Sequence, residues 1–323
     1  MDKIISEIIN SLNKKINNND NLNISKDRFI KINKIDSNKK IAFIDGGNAE
    51  LLKANNFSLQ MIRTFGIILQ NNKKIQSIKN EFFILAYAES EQDKINYKVE
   101  IFQINGNKLI NEDNLSFDSF DETIKQGISR AEISKLGEIA RRFAELSLAN
   151  SIADQLSKED ILILDGNLQA SYKNEDNYLN KLKERKNFIC GLAKTSQVFN
   201  KQSCLIGDIS SIANFDHPWY FKITDDKYAV KLNKNSKYIF EFEIFNNSKI
   251  KEILGNLISN CNDAVFPGYC YGLILADKFG RISNKEKEYL INLFKIKAGK
   301  NWIKIEKYLN SINSHNILDK ISF

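Results

Sequence analysis

Two short apolar runs, each closing on Asp-Gly, constrain this chain more than any other feature. Residues 40–47 read KIAFIDGG and residues 160–167 read DILILDGN. A half-exposed strand alternates apolar and polar residues, whereas a near-continuous apolar run reads as a strand covered on both faces. Each run therefore predicts a buried strand that stops at a tight turn, with Asp45 and Asp165 lying 120 positions apart at the two ends. A carboxylate there is held rigidly by the sheet yet sits at its rim, which is what a metal ligand needs. Asp-Gly is also a common turn dipeptide, so a turn-starting role is the competing reading for each aspartate. The glycines add that a missing Cβ lets a phosphate backbone come close.

Periodicity sorts the remainder. Residues 2–19 place Ile4, Ile5, Ile8, Ile9, Leu12 and Ile16 at helical spacing, after which NNNDNLN reads as a break. SLQMIRTFGIIL, EFFILAYAES and YKVEIFQI are β-rich and predict a meander of three or four strands. Residues 128–156 keep apolar residues at three- and four-residue intervals and predict a helix of about eight turns. EDILILDGNL is the second buried strand, YLNKLKERK a helix and NFICGLAKTS a third strand. A hairpin region over WYFKITDDKYAVKLN and KYIFEFEIF precedes helical patterns around 248–260, 270–282, 285–297 and 301–313. Strands first, then α-β-α-β, predicts an α/β fold: an RNase H-like mixed sheet flanked by helices, with extra N- and C-terminal helices. No internal repeat or long linker interrupts it. The predicted organisation is an amphipathic helix over 1–25 and a single domain over 26–323.

Composition narrows the chemistry. With 47 basic and 40 acidic residues, the net charge of +7 permits attraction to a polyanion without demanding it. No window approaches the roughly 18 to 20 apolar residues of a membrane span, and the opening MDKIISEIINSLNKK carries acidic residues where a signal peptide is basic. A cytoplasmic protein with no membrane contact is expected. Cys190, Cys204, Cys261 and Cys270 form no CxxC pair, and most lie in apolar stretches, so buried reduced thiols are expected rather than zinc or disulfides. The two histidines, His217 and His315, disfavour any His-rich metal site, so carboxylates must carry the work. In an RNase H-like fold the first strand and the helix after the meander each donate one. That helix offers Glu132, Glu138 and Glu145, the last two sharing a face seven positions apart. Trp219 or Tyr220, beside His217, can stack on a single-stranded base or pack in a core.

The ordered set FIDGG, RRFAELSLA shortly before ILILDGNL, GLAKTS, and GYCYGLILADKFGRIS resembles the NurA family, archaeal nucleases that work with the HerA ATPase in resecting DNA ends. The matching motifs spread from about residue 41 to residue 283. The resemblance implies an RNase H-like domain, two Mn²⁺ or Mg²⁺ ions, a ring-like homodimer threaded by DNA and a HerA-type hexameric ATPase as partner. It implies a 5′–3′ exonuclease or single-strand endonuclease serving double-strand break repair by homologous recombination. The family's DGG aspartate falls on Asp45, its second-strand aspartate on Asp165, and its helix glutamate on Glu145, with Glu138 as the fallback. Tyr269 matches a family tyrosine, and eight positions on, where the family often has His, stands Asp277. An aspartate coordinates a hard cation but is a poor cationic partner for a leaving oxygen, so Asp277 is expected as a ligand, or else as a surface turn residue. Lys194 is expected at the scissile phosphate, with Arg63 and Tyr269 as further nucleic-acid contacts and Arg142 a weaker case. The first and last helices are expected to serve dimer and ATPase contacts. Two other classes stay open. A sugar-kinase or actin-like ATPase needs two copies of its fold and a glycine-rich loop, against one copy and 14 glycines. A non-catalytic DNA-binding or partner-docking module would keep the acidic rim as a residue of descent.

Overall fold

The computed structural model describes residues 1–17, 24–91, 94–194, 205–245 and 249–312. The chain packs as two compact units. The smaller takes in residues 1–38, 165–168 and 188–271, and the larger 39–164, 169–187 and 272–323. Helix α1 (Asp2–Asn17) and strand β1 (Phe29–Lys31) open the chain within the smaller unit.

The larger unit carries the predicted meander. Strands β2 (Lys40–Lys53), β3 (Phe57–Gln70), β4 (Lys73–Glu91) and β5 (Lys94–Asn105) pair antiparallel in succession, and β6 (Phe117–Asp118) pairs with β5. Asn71 and Asn72 join β3 to β4 with φ of 51° and 59°. That is the left-handed pair a two-residue hairpin requires, and asparagine tolerates it. Helix α2 (Lys135–Ala153) follows, then β7 (Ile161–Asp165), which pairs parallel to β2 from Ile41↔Ile161 to Ile44↔Leu164. The order β7-β2-β3-β4-β5-β6, one parallel pair beside an antiparallel meander with helices on its faces, is the RNase H-like mixed sheet expected from the sequence.

Two boundaries differ from expectation. β2 does not stop at Asp-Gly-Gly: it runs on through Asp45↔Phe65, Gly46↔Thr64 and Gly47↔Arg63 as far as Lys53↔Ser58. The continuous partner β3 satisfies the backbone of the glycines, so they need not turn. β7 does end where predicted, at Gly166 with φ +105°. The helix predicted over 128–156 begins at Lys135, because Gly127 adopts φ +59° and Ile128, apolar and on period, is 98% exposed beside a Gln126–Ser129 bridge.

Alternation sends successive β2 residues to opposite faces. Towards α2, a Cβ on Gly66 would lie 2.4 Å from Ile152 Cδ1, and Ile44 shares that contact. On the other face lies α6 (Tyr271–Gly280), whose Gly272 would meet the Phe43 ring at 2.0 Å if it carried a Cβ. A Cβ on Gly47 would come within 2.6 Å of the Gly280 carbonyl. The strand advances about 13 Å from 43 to 47 and the helix about 12 Å from 272 to 280, so the two run alongside. Gly272, Ala276 and Gly280 recur every four residues, so the backbones can come this close.

Arg63, on β3, is 9% exposed. Its Nε donates to Glu81 Oε1 at 2.7 Å, and its terminal nitrogens donate to Glu286 and to the Arg281 carbonyl, 3.0 Å away. The expectation that Arg63 faces nucleic acid thus meets a guanidinium already taken up inside the protein. It pins α7 (Asn284–Ala298), whose Leu290, Ile291 and Phe294 pack on Leu51, Leu59 and Met61. Helix α8 (Lys300–Ile312) follows, and α3 (Asp176–Lys183) lies earlier in this unit.

In the smaller unit β9 (Trp219–Lys222), β10 (Lys227–Lys231) and β11 (Phe240–Ile244) form the predicted hairpin region. β8 (Phe188–Ala193) joins β11, and β1 joins β9, all antiparallel. Ile209 of α4 (Leu205–Ile212) packs with Trp219 and Phe221, and Phe29 stands edge-on to Trp219 at 5.0 Å. Trp219 and Tyr220 are 0% and 3% exposed, so they are core rather than a stacking platform. Helix α5 (Ile250–Leu257) completes the unit. Cys190, Cys261 and Cys270 are buried free thiols as expected; Cys204 and His315 lie outside the described residues. Among the described residues no helix is long and apolar enough to cross a membrane.

Burial pushes the Glu81 carboxyl up, but hydrogen bonds from Lys79 and Arg63 outweigh it and hold the group below its ordinary value of 4.5. A depressed carboxyl contributes stability that is present above the unfolded-state value and is lost as pH falls through the folded-state one. Arg63→Met should cost about 3 kcal/mol at neutral pH, the low end for breaking a buried pair, since Glu286 is 32% exposed. Urea unfolding should show that deficit shrinking once the pH drops below 4.5.

Candidate active site

In the larger unit the expected carboxylates gather on β2. Asp45 is 5% exposed and its Oδ1 accepts from the Gly46 N–H at 2.7 Å. Strand alternation sets it on the α6 side with Phe43 and Gly47. Glu145, from the middle of α2, arrives on the opposite side and is 2% exposed. Its Oε1 lies 2.8 Å from where a Gly46 Cβ would stand, so the absent side chain is the cradle into which the carboxylate fits. The two acids flank the same two residues, immediately after the last β2–β7 pair. Arg141, one turn before Glu145, donates from Nη1 to Glu145 Oε1 at 2.6 Å and to the Gly46 carbonyl at 3.3 Å. Glu138, the fallback, is 50% exposed and bound to Lys135, and Glu132 pairs with Lys53 at 2.7 Å.

In the smaller unit three expected residues converge. Asp165 Oδ2 accepts from Lys194 Nζ at 2.7 Å and Oδ1 from the Tyr269 hydroxyl at 2.9 Å, while the ammonium stands 5.1 Å from the Tyr269 ring centre. Tyr269 is 1% exposed, stacked on Phe266 at 5.0 Å and tilted against Phe240 at 5.3 Å. Its hydroxyl is thereby aimed by packing, and it positions Asp165 rather than offering a ring to a base. Behind Asp165 the Gly166 N–H donates to the Leu192 carbonyl at 3.1 Å. A Cβ on Gly191 would come 2.5 Å from the Gly166 carbonyl, so Gly191 is what lets this turn sit on β8.

Asp277 lies on α6, its side chain 36% exposed and held by Arg281 at 2.8 Å one turn on. Arg142 donates to Glu175 Oε1 at 2.7 Å, and Glu175 also caps the N–H groups of Ser171 and Tyr172, which makes Arg142 a structural residue. Arg141 is the residue that sequence reasoning missed; its i, i+4 spacing to Glu145 is the available signal.

Among the described residues no three or more His, Cys, Asp or Glu side chains gather so as to hold a metal ion. Asp45 and Glu145 each offer the hard carboxylate oxygens that a hard cation takes, from opposite sides of β2. Mg²⁺ is commonly held by about one or two carboxylates together with waters and substrate phosphates. Thiolate competition is absent at Cys190 and Cys261, whose pKa burial pushes well up, so they stay neutral.

No family model matches the chain, and no curated protein does. Solved structures similar to it include Endonuclease V of Ciona intestinalis in complex with a 24-mer DNA containing an inosine followed by a ribo-adenosine. That likeness has 12% identity and a TM-score of 0.41 over 90% of this chain and 100% of that one. The catalytic domain of human Endonuclease V matches at 10% identity and a TM-score of 0.38 over 78% of this chain and 90% of that one. Argonaute of Aquifex aeolicus matches at 11% identity and a TM-score of 0.35, covering 76% of this chain and 28% of that one.

The Gly191 contact is with backbone, which cannot rotate aside. Gly191→Ala should therefore destabilise the fold by about 1–3 kcal/mol, the range for overpacking a tight site. A lowered denaturation midpoint at unchanged m-value is the expected readout.

Proposed function

We propose that this chain is a divalent-metal-dependent nuclease that hydrolyses phosphodiester bonds in DNA. The observation that carries the reading is the buried Glu145 carboxylate seated in the space a Gly46 side chain would fill, one residue along β2 from the buried Asp45. Burying two acids against one short strand segment is costly unless cations compensate them. The resemblance to the NurA family implies Asp45, Glu145 and Asp165 as the residues that would hold the metal. A bound Mn²⁺ or Mg²⁺ supplies Lewis-acid activation of water and neutralises charge on the leaving oxygen.

The chain's own residues do the rest. β2 keeps Asp45 rigid by pairing with β3 on both sides of it. Lys194 and Tyr269 hold the Asp165 carboxylate in one orientation by bonding one oxygen each. Lys194, whose side chain is 40% exposed, places beside Asp165 the kind of point charge that a phosphate takes. Asp277 belongs to this reading as a further carboxylate on α6. Arg63 belongs to it as the residue that fixes α7, not as a strand contact.

The finer reading follows the family: manganese in preference to magnesium, two ions, action on DNA ends in double-strand break repair, a homodimer, and a HerA-type ATPase as partner. The N-terminal helix supports the homodimer, since Ile4, Ile5, Ile8, Ile9 and Leu12 are each between 46% and 59% exposed along it. Such an apolar face on a surface helix is the ordinary mark of a contact.

End-labelled DNA incubated separately with Mn²⁺, with EDTA and with ATP tests the activity. Nucleotide release is expected with the metal alone, and Asp45→Asn or Glu145→Gln should bring it to background while circular dichroism stays native. ATP turnover without DNA cleavage would overturn the proposal. Light scattering should give twice the 37.2 kDa chain mass, and Ile5→Asp with Ile9→Asp should return it to one chain.

A further inference from the structure

The C-terminal end of α6 rests on the strand that carries Asp45. A Cβ on Gly280 would lie 3.2 Å from Gly46 Cα and 3.4 Å from the Asp45 carbonyl oxygen, so the helix meets β2 at backbone distance there. The residue before it, Phe279, is 49% exposed. Phe65, itself buried, backs its ring at 5.1 Å with a tilt of 33°. Phe65 is also the cross-strand partner of Asp45 on β2 and of Lys79 on β4, and partners in register point to one face of the sheet. The ring on which Phe279 packs is therefore one strand spacing, about 5 Å, across the sheet from Asp45. Cations flank Phe279. The Lys278 ammonium lies 5.9 Å from its ring centre, and Arg281, whose side chain is 70% exposed, follows two residues on. The ion pair of Arg281 with Asp277 is open to water and so contributes little, which leaves the guanidinium able to turn to a phosphate.

We propose that Phe279 is a stacking platform for one base of a single DNA strand held beside Asp45, with Lys278 and Arg281 on the flanking phosphates. The inference rests on the nuclease reading above and deepens it by naming the form of DNA that this face takes. An exposed phenylalanine by itself is ordinary on a protein surface. This one is set on a helix end fixed against the sheet, backed by a second ring, and flanked by cations within two residues on either side. An apolar protein surface would be met as well by an aliphatic side chain and has no use for the cations. A single strand uses both, a π face for a base and positive charge for the backbone. Every base has such a face, so the platform does not read sequence. In a duplex those faces are already covered by neighbouring base pairs, so the platform selects an unpaired strand.

Fluorescence anisotropy on the full-length protein, with a short labelled oligothymidylate and EDTA present so that nothing is cut, tests this directly. Phe279→Ala should weaken binding about tenfold, within the range for loss of one stacked base. Phe279→Leu keeps an apolar side chain against Phe65 and with it the fold, yet has no π face, so it should bind as weakly as Phe279→Ala. Phe279→Trp should bind at least as tightly as wild type. A duplex of the same length should bind wild type and Phe279→Leu alike. Lys278→Gln and Arg281→Gln should each lower the slope of log affinity on log salt by about 0.7, as expected for one phosphate contact on a single strand. Wild-type affinity in Phe279→Leu overturns the stacking role, an equal loss on the duplex overturns the single-strand selection, and unchanged salt slopes overturn the phosphate roles. If the wild-type protein binds neither form of DNA, the nuclease reading fails and the inference falls with it. If it binds DNA and every Phe279 variant binds as wild type does, the inference alone fails.

Discussion

The parallel pairing of β7 with β2 ends at Leu164 and Ile44, and β2 does not end there. The larger unit's chemistry hangs on this mismatch of strand lengths. Up to Ile44 the strand is held by neighbours on both sides; beyond it β3 alone keeps Asp45, Gly46 and Gly47 extended. Asp45 is therefore as rigid as a core residue. The segment just past it has space for a helix side chain to reach in, and Glu145 uses it. A turn at Asp-Gly-Gly would have given Asp45 the mobility of a loop, and the role proposed for it needs closer restraint than that.

Much of this was legible in the sequence because burial leaves a direct trace. The two apolar runs became β2 and β7, and the i, i+3, i+4 spacing before the second became α2. The glycines were the ambiguous part. Asp-Gly is a turn at residue 165, where Gly166 takes φ +105°, and is not a turn at residue 45. The difference lies in whether a partner strand continues, which is a tertiary fact that local sequence does not hold. The choice between Glu138 and Glu145 was equally hidden. Seven residues apart they share a helix face, but Glu138 sits in the first turn, where Lys135 meets it in solvent, and Glu145 lies where α2 crosses β2. Strand β1 and helix α4 left too short a pattern to read, and they owe their form to packing on Trp219.

Close approach of backbones explains what composition could not. Gly272 admits the Phe43 ring, Gly46 admits Glu145, and Gly191 admits the turn after Asp165, each at a distance no side chain would tolerate. At none of the three is a left-handed backbone involved. They are glycine because something else occupies the Cβ position, so a sequence shows them only as three of 14 glycines. The residues that place Asp165 are likewise separated by 29 and 104 positions, so only folding brings them together.

Electrostatics then decides what such a site can be. Two of these carboxylates already have a cation of the protein's own, Arg141 for Glu145 and Lys194 for Asp165. Replacing Lys194 or Arg141 by a neutral residue would not make the acids indifferent to charge, because a carboxylate withdrawn from water remains short of solvation wherever its partner goes. What differs between the two pairs is exposure. Lys194 and Asp165 are 40% and 17% exposed, so water can share the work there and the pair is weak in the manner of surface ion pairs. Glu145 at 3% has no such relief. Leaving a carboxylate without a counter-charge therefore costs more at Glu145 than at Asp165, because at Glu145 water cannot take the partner's place.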